Sequence, residues 1–363
     1  MPFRWPDNRL IELFEIEHPI ILAPMAGAMD AALAAEVSAA GGLGSLPCAM
    51  LTSTQLREQF AQIRAATSKP VNVNFFCHTT PVPNNALEAR WRERLRPYYE
   101  EFGIDPAASV PASNRAPFDA AFCEVVEELK PQVVSFHFGL PADGLLRRVK
   151  AAGCRVISSA TTTAEAIWLE QRGVDAVIAQ GFEAGGHRGM FLTDNIAAQV
   201  GTFALVPQIV DNVKVPVIAA GAIGDARGIA AAFALGACGV QIGTAYLHCP
   251  EAKIAAPHRA AMRSARDDAT ALTNLMTGRP ARGFINRVMQ EIGPISDVVP
   301  QFPLAAAALA PLRAMAEAAG SGAFSPMWSG QAAALGREIG AAELTKRLAA
   351  EAQDQLRRLG ALS

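Results

Sequence analysis

The stretch Ala179-Gln-Gly-Phe-Glu-Ala-Gly-Gly-His-Arg-Gly189 is a glycine-rich loop that directly follows a short apolar run, Val174–Ala179. The short length and the branched residues of that run predict a buried strand. Glycines allow backbone N–H groups to approach a ligand closely, and a histidine exchanges protons near neutral pH. The pattern therefore predicts a ligand site, with His187 in it, at the end of a strand.

The same unit of a strand, a turn and a helix recurs along the chain. Apolar runs that are each followed by a helical stretch contain Ile20, Leu43, Val71, Val133, Arg155, Val174, Val217 and Gly239. Short strands that are apolar on both faces and alternate with helices are typical of a parallel sheet covered by helices. Eight such units in roughly 240 residues predict a (β/α)₈ TIM barrel. A doubly wound open sheet is the alternative, although no GxGxxG motif follows the first strand.

Two segments do not follow this alternation. Residues 79–116 are polar and rich in proline, and they are too long for an ordinary connection. Residues 251–363 are mostly helical in pattern, and we expect Thr277–Arg282 to be a connecting loop within them. We predict a barrel domain of residues 1–78 and 117–250, and a second, mostly helical domain from the two remaining segments that covers the site.

The composition excludes several classes of protein. Apolar residues make up 51% of the 363 residues and the net charge is −2, so a large core is expected and nucleic acid or an anionic membrane is not an expected partner. No apolar run reaches the ~18 residues of a membrane span, and the N-terminus lacks a signal pattern. The six cysteines form no CxxC pair. We expect a cytoplasmic protein with reduced thiols and no metal site.

Polar side chains are predicted at the carboxyl ends of the strands, where TIM barrels place their active sites. Asn72 and Asn74 lie on one face of the third strand, because residues two apart in a strand face the same way. This pair indicates either a polar ligand or two amides bonded within the protein. His137 follows the fourth strand, and Gln180 ends the sixth strand immediately before the glycine-rich loop.

Glycine-rich turns follow the seventh and eighth strands, where such barrels often bind phosphate on backbone N–H groups. The residues that suit this role are Gly221, Gly224, Gly243 and Thr244, and Gly185 and Gly186 could add further amides. The ligand suggested by these features has a phosphate and a flat apolar body with hydrogen-bonding edges. FMN is a ligand with these features, and it would carry the chemistry itself.

The ordered set of motifs resembles the nitronate monooxygenases of class I, formerly called 2-nitropropane dioxygenases. The matching stretches span nearly the whole chain: Leu22–Gly27, Ala40–Gly44, Val71–Phe75, Ala179–Gly189, Pro216–Gly221, Gly236–Thr244, Gly243–Cys249, Thr277–Arg282 and Trp328–Gln331. The chain departs from the family pattern at Gly27-Ala-Met-Asp30, where a second glycine and a Thr-Pro pair are common, and at Ala222, where a second glycine is usual.

The resemblance implies a barrel that binds FMN without a covalent bond. It implies flavin contacts at Met25, Asn74, Gln180, Gly185, Gly221, Ala222, Gln241, Ile242, Gly243 and Thr244. Ala23, Pro24 and Gly186 are further expected contacts, because they also lie at the strand ends. It also implies that His187 is the catalytic base. Arg188 is expected either beside the nitro group or in an outward salt bridge, and Glu183 is expected to hold the loop.

The implied activity is oxidation of alkyl nitronates by O₂ to a carbonyl compound and nitrite. Propionate 3-nitronate and neutral nitroalkanes are further candidate substrates. An FMN-dependent NAD(P)H:quinone reductase or enoyl-thioester reductase on the same scaffold is the closest alternative, because these enzymes also resemble the chain in fold and in a Gly-His loop. A flavin-binding protein without catalysis is the second alternative. The sequence does not indicate the oligomeric state.

Overall fold

Eight parallel strands form a barrel in the computed structural model, which describes residues 4–105 and 115–360. Residues 106–114 of the predicted covering segment, and both chain ends, lie outside the described residues. The strands are β1 (Ile20–Leu22), β2 (Gly44–Pro47), β3 (Val71–Phe76), β4 (Val133–His137), β5 (Arg155–Ala160), β6 (Ala176–Gln180), β7 (Gly186–His187), β8 (Val217–Ala220), β9 (Gly239–Ile242), β10 (Thr270–Thr273) and β11 (Ala281–Phe284).

The order of the strands around the sheet is β1-β9-β8-β6-β5-β4-β3-β2. A parallel bridge between Ile21 and Leu43 connects the two edge strands and closes the ring. The TIM barrel predicted from the sequence is therefore confirmed, and the open sheet is excluded. All eight predicted strands are present, each paired in parallel with its neighbours.

Helices surround the barrel and extend beyond it. They are α1 (Arg9–Phe14), α2 (Ala31–Ala39), α3 (Ser53–Ala66), α4 (Asn85–Glu101), α5 (Ala120–Leu129), α6 (Asp143–Ala151), α7 (Thr163–Gln171), α8 (Thr202–Val210), α9 (Ala226–Ala234), α10 (Ala256–Arg263), α11 (Arg287–Ile292), α12 (Ala305–Ala318) and α13 (Ala341–Gly360). The part of the chain that the structure describes also contains three short 3₁₀ helices in its connections: Ile196–Ala198, Thr244–His248 and Ala333–Leu335.

The barrel has two apolar layers because successive strand residues face opposite ways. Ile157, Ile178 and Ile218 fill its interior, where Leu10 and Phe14 of α1 join the same cluster. The other strand face packs against the surrounding helices. Sequence reasoning missed α1, which is six residues long. A helix of that length is unstable by itself, and it forms here because its apolar face closes the barrel.

The C-terminal segment and α4 share a core of their own. Trp91, Leu95 and Tyr99 of α4 pack with Leu309 and Leu312 of α12. Backbone carbonyls of α12 accept hydrogen bonds from the Trp91 indole and from the Tyr99 hydroxyl. This separate cluster supports our proposal that residues 79–116 and 251–363 form a second domain beside the barrel.

That C-terminal segment also contains β-structure, which the sequence reading did not predict. Strands β10 and β11 pair antiparallel, and β11 also pairs with β7 of the glycine-rich loop. The expected connecting loop at Thr277–Arg282 is therefore partly wrong, because Ala281 and Arg282 belong to β11. Each of these strands has at most four residues, so no periodic pattern could develop, and the pairing of β11 with β7 joins residues more than ninety positions apart.

Truncation of Phe14 should test how strongly α1 supports the barrel. Phe14 is 1% exposed, and Phe14→Ala should lower the free energy of unfolding by roughly 3–5 kcal/mol because it leaves a cavity. Phe203→Ala is the matched control, because Phe203 is 74% exposed and its loss should cost under about 0.5 kcal/mol. Urea denaturation measures both values. Equal effects in the two variants would contradict this account of α1.

Candidate active site

A cavity of about 610 Å³ opens at the carboxyl ends of the barrel strands. Every predicted cofactor-binding residue except Ile242 lines it: Ala23, Pro24, Met25, Asn74, Gln180, Gly185, Gly186, Gly221, Ala222, Gln241, Gly243 and Thr244. The Ile242 side chain is buried among the barrel helices instead. The reason is alternation along β9, which turns Gln241 toward the cavity and its neighbour Ile242 away from it.

The glycine-rich loop is tied to the strand from which it leaves. The Gln180 amide donates from Nε2 to the carbonyl oxygen of His187 at 2.9 Å, and its Oε1 accepts from the N–H of Gly189 at 2.7 Å. The nitrogen and the oxygen of the Gln180 amide thus both form hydrogen bonds with the loop backbone. Gln180, which the sequence assigned to the flavin, lines the cavity and also fixes the position of His187.

His187 is held by a network of contacts around its backbone and its ring. It pairs with Ala281 of β11, and its carbonyl oxygen also accepts from His137 Nε2 at 3.2 Å. The ring Nε2 lies 2.9 Å from the hydroxyl of Thr277, which is 2% exposed. The hydroxyl in turn donates to the carbonyl oxygen of Arg279 at 3.4 Å. Thr277 therefore accepts from Nε2–H, and the Nδ1 atom of His187 carries the lone pair.

Aromatic rings surround the His187 imidazole. The centroids of four rings lie 5.3–6.1 Å from its own, and they belong to Phe76, Phe138, Phe302 and Trp328. This apolar surrounding disfavours a charged imidazole.

The pKa of His187 lies well below its ordinary value, mainly because of burial and secondarily because of the positive charge of Arg115. Burial also lowers the pKa of His137 to about 3. Both imidazoles are therefore neutral at pH 7. A neutral histidine beside a cavity can accept a proton, which is the chemistry required of a general base.

Arg188 and Glu183 maintain the shape of the loop. Arg188 is fully buried, and its guanidinium donates to the carbonyl oxygens of Gly181 and Gln180 at 2.5 and 2.7 Å. Neither expected position of Arg188 is therefore correct, since it faces neither the cavity nor solvent. The Glu183 carboxylate accepts from the Thr202 N–H at 2.8 Å and from its hydroxyl at 3.0 Å. It thus anchors the loop to the start of α8.

The two asparagines of β3 have different surroundings. Asn72 is fully buried and donates to the hydroxyls of Ser45 and Ser135, both at 2.9 Å. Asn74 donates to the same Ser135 hydroxyl at 2.9 Å, and it also lines the cavity. The amide N–H groups of both residues are thus bonded within the protein, as one of the two alternatives expected, and of the pair Asn74 lines the cavity.

The turns after β8 and β9 have backbone shapes suited to binding an anion. Gly221 and Ala222 both have positive φ, +113° and +58°. Such a conformation is uncommon for alanine, and it concentrates at functional sites. Gly243 leaves little room for a side chain, because a Cβ atom there would lie 3.2 Å from the Cβ of Ala23. Gly224, which the sequence also suggested, does not line the cavity and packs against Leu335 instead.

Gln241 shows that the cavity wall is suited to a ligand with hydrogen-bond donors. Its Oε1 atom is buried and has no hydrogen-bond partner within residues 4–105 and 115–360. A buried acceptor without a donor is unfavourable, so a ligand N–H at this position would be stabilised. The cavity volume lies within the range of about 300–1,000 Å³ that is usual for cofactor sites. These residues fit the phosphate and the polar ring edge of a flavin nucleotide.

Comparison with known proteins decides the family. The family model described as nitronate monooxygenase matches residues 7–351. The chain belongs to the nitronate monooxygenase family. It is similar to a nitronate monooxygenase of Pseudomonas aeruginosa, with 42% identity over 346 residues that cover 95% of this chain and 99% of the relative. As a member of this family, the chain is a flavin-dependent oxidoreductase, as the resemblance of its motifs implied.

Solved structures support the same assignment. A nitroalkane oxidase from Streptomyces ansochromogenes superposes with a TM-score of 0.88 at 35% identity, covering 98% of this chain and all of the other. FabK from Thermotoga maritima superposes with a TM-score of 0.74 at 28% identity, covering 99% of this chain and all of the other. The chain thus shares its fold with both of these structures over nearly its whole length.

Some residues of the site were missed by sequence reasoning. Thr277 and Trp328 lie in stretches that resemble the family, but nothing in their spacing predicted contact with His187. Arg115 and Phe302 carried no signal, since an isolated arginine or phenylalanine has no distinctive pattern.

Among the helices within the described residues, none is both long and apolar enough to cross a membrane.

Replacement of Gly185 should disrupt the cofactor site. A Cβ atom there would lie 2.5 Å from the Gly330 backbone nitrogen, so the loop must shift. Gly185→Ala should reduce the flavin content of the purified protein by about tenfold or more, because a displacement of this kind costs roughly 1–3 kcal/mol. Gly144→Ala is the control, since a Cβ there meets no atom within 4 Å. Flavin absorbance per protein measures the effect, and full occupancy in Gly185→Ala would refute this view of the loop.

Removal of the Thr277 hydroxyl should impair His187 without changing the shape of the side chain. Thr277→Val leaves Nε2–H without an acceptor, which costs about 1–3 kcal/mol, and we expect kcat for a nitronate to fall roughly tenfold or more. Thr277→Ser keeps the hydroxyl and should retain most of the activity. Steady-state kinetics with flavin content as a check measures both variants. Equal kcat values in the two would show that the hydroxyl does not position the ring.

Proposed function

We propose that this protein oxidises alkyl nitronates with O₂, using non-covalently bound FMN, to give a carbonyl compound and nitrite. The observation that carries the proposal is a neutral, buried His187 at the edge of a cavity whose other end consists of glycine-rich strand ends. Neutral nitroalkanes and propionate 3-nitronate are included as candidate substrates. The similarity to nitronate monooxygenases at 42% identity supports this choice.

The residues that would hold FMN divide into two groups. Backbone N–H groups near Gly221, Ala222, Gly243 and Thr244 suit the phosphate, because they end strands at the position where barrels bind anions. Gln241, with its buried Oε1, would meet a donor on the ring edge. When bound, the flavin supplies the electron acceptor for oxidation of the nitronate.

His187 would then handle the substrate. Its Nδ1 atom carries the lone pair, because Nε2–H is donated to Thr277. With a neutral nitroalkane, Nδ1 accepts the α-proton; with a nitronate, which has already lost that proton, the imidazole orients the anion. Arg115 also lines the cavity, and its positive charge acts at His187. That charge favours binding of the anionic nitronate.

The surrounding rings limit access of water to this region. Phe76 and Trp328 line the cavity next to His187, and Phe138 and Phe302 pack behind them. A site with apolar walls strengthens each electrostatic interaction inside it. The cation of Arg115 therefore acts on a bound nitronate more strongly than it would in water.

One experiment separates this proposal from its alternatives. The purified protein should show a flavin absorbance spectrum, consume O₂ with ethyl nitronate, and release nitrite. An NAD(P)H:quinone or enoyl-thioester reductase would instead lose its flavin colour rapidly when NADH or NADPH is added without O₂. A flavin-binding protein without catalysis would do neither. Rapid bleaching by a nicotinamide cofactor, with no nitronate turnover, would contradict the proposal.

The His187→Asn variant tests the base. Asparagine cannot accept the α-proton, so oxidation of neutral nitroethane should slow by roughly 10²–10⁴-fold. Oxidation of ethyl nitronate, which needs no proton removal, should slow much less, and FMN should remain bound. Oxygen uptake with nitroethane and with ethyl nitronate measures how much the variant slows each reaction. Each substrate serves as the control for the other. Equal slowing of both would show that His187 does not act as the base.

We also propose a cytoplasmic location. All six cysteines are unpaired thiols, and five of them are buried. Unpaired thiols are typical of proteins in reducing compartments. Fractionation of the native host would test this location.

A further inference from the structure

Phe138 lies at the centre of a group of rings behind His187. Its side chain is 4% exposed, and it is not part of the cavity wall formed by the described residues. The centroid of its ring lies 4.5 Å from that of His137, 5.9 Å from that of His187 and 6.3 Å from that of His78. Three of the six histidines of the chain thus surround one phenylalanine.

The backbone of Phe138 has a conformation that disfavours a bulky side chain. Its φ is +71°, and the φ of the next residue, Gly139, is +90°. A bulky residue is an outlier in this region, and such outliers concentrate at functional sites. Glycine would adopt the same turn with less strain. The ring of Phe138 therefore has a role that the turn after β4 does not explain.

The cation of Arg279 lies over the Phe138 ring, with its guanidinium carbon 3.9 Å from the ring centroid. Its Nη2 atom donates to the carbonyl oxygen of Met190. The charges of Asp194 and Glu165 act on the guanidinium, but burial has the larger influence and lowers the pKa of Arg279 to about 10. Arg279 is therefore still a cation at pH 7.

The backbone around Arg279 is tied to His187 and to its neighbour. The Arg279 carbonyl oxygen accepts from the Thr277 hydroxyl at 3.4 Å, and that hydroxyl lies 2.9 Å from Nε2 of His187. The carbonyl oxygen of Pro280, the next residue, accepts from the Arg188 N–H at 2.8 Å. These bonds restrict movement of Arg279 relative to the imidazole.

The Arg279 cation is close enough to act on the His187 imidazole. The Phe138 centroid is 3.9 Å from the guanidinium carbon and 5.9 Å from the His187 centroid, so the cation lies within about 10 Å of the imidazole, a distance over which charges still interact. Salt screens buried charges much less than exposed ones. A cation at this position disfavours a second positive charge on the imidazole.

Four groups, each from a different part of the barrel mouth, act on His187 through their charge. They are Arg115 before α5, His78 after β3, His137 at the end of β4 and Arg279 before β11. Burial lowers the pKa of His78 to about 4 and that of His137 to about 3, so both are neutral at pH 7. The two arginines are therefore the charged members. Arg115 lines the cavity, where a nitronate anion would offset its charge, whereas Arg279 lies behind the wall.

We propose that Arg279, held in place by the ring of Phe138, is a positioning residue that keeps the His187 imidazole unprotonated and ready to accept the α-proton of a neutral nitroalkane. It acts through His187 and does not touch the substrate. This inference rests on the proposed function, because it takes His187 to be the base. As a consequence, the base stays active in more acidic solution than an ordinary histidine would.

The dependence of kcat/KM on pH tests this role, because it reports the pKa of the base in the free enzyme. Oxygen uptake with freshly diluted neutral nitroethane is measured over about pH 5–8, a range that includes the ordinary pKa of histidine. Loss of the cation in Arg279→Gln makes protonation of His187 easier. The pKa of His187 then rises, and the acidic limb should move to higher pH by about one unit. Arg279→Lys keeps the charge and should retain most of the wild-type profile.

Arg172→Gln is the matched control. The Arg172 guanidinium also lies over an aromatic ring, 3.7 Å from the centroid of Trp168, but it is exposed at the end of α7 and away from the cavity. Its loss should leave the profile unchanged. If Arg279→Gln does not fold, Arg279→Met removes the same charge, and its thioether packs well against an aromatic ring.

Three outcomes would overturn the inference. The first is a profile of Arg279→Gln that matches that of wild type, including the case in which neither protein has an acidic limb. The second is an equal change in Arg279→Gln and Arg279→Lys, which would show that packing matters and charge does not. The third is a fall in kcat/KM by the same factor at every pH.

Failure of the proposed function gives a different result, because wild type would then oxidise nitroethane at no pH. The effect of the cation is in that case measured by NMR titration of the histidine rings. The His187 signal is the one that is missing from His187→Asn. A titration midpoint that is higher in Arg279→Gln than in wild type and Arg279→Lys supports the role of Arg279. Equal midpoints, or a His187 signal that titrates in none of these proteins, refute it.

Discussion

The pairing of β7 with β11 is the interaction on which the site depends. Gly186 and His187 belong by chain order to a barrel loop, yet their backbone pairs with Arg282 and Ala281 of the C-terminal segment. A glycine-rich loop has many backbone groups and no regular structure to satisfy them. The neighbouring segment supplies those partners, so the barrel and the C-terminal segment must fold together before His187 reaches its position.

Three further groups hold the loop from within the barrel. Gln180 bonds to the His187 carbonyl oxygen and the Gly189 N–H near the end of the loop, and His137 donates to the same His187 carbonyl oxygen. Arg188 donates to the carbonyl oxygens of Gln180 and Gly181, where the loop begins. Within the described residues, 4–105 and 115–360, the buried Arg188 cation has no carboxylate partner, and burial lowers its pKa to about 10. Its hydrogen bonds to three acceptors compensate for part of the lost hydration.

A second arginine, Arg279, influences the chemistry. Arg279 stacks on Phe138, with its guanidinium carbon 3.9 Å from the ring centroid, and its charge lowers the pKa of both His137 and His187. Burial is the larger cause in each case. Positive charge and apolar walls act in the same direction, because both disfavour an imidazolium. They have opposite effects on an anionic substrate. The cations attract the anion, whereas the apolar walls disfavour its binding because the anion loses its hydration there.

The sequence by itself determined the barrel and most of the cavity wall. Strand–helix alternation is a local signal that repeats eight times, and glycines at strand ends mark tight backbone turns wherever they occur. The tertiary structure alone decided which groups face one another. The backbone bond from the Arg188 N–H to the Pro280 carbonyl oxygen and the Thr277 contact with His187 each join residues about ninety positions apart. Such pairing arises from packing and hydrogen-bond satisfaction between distant segments, which no local pattern contains.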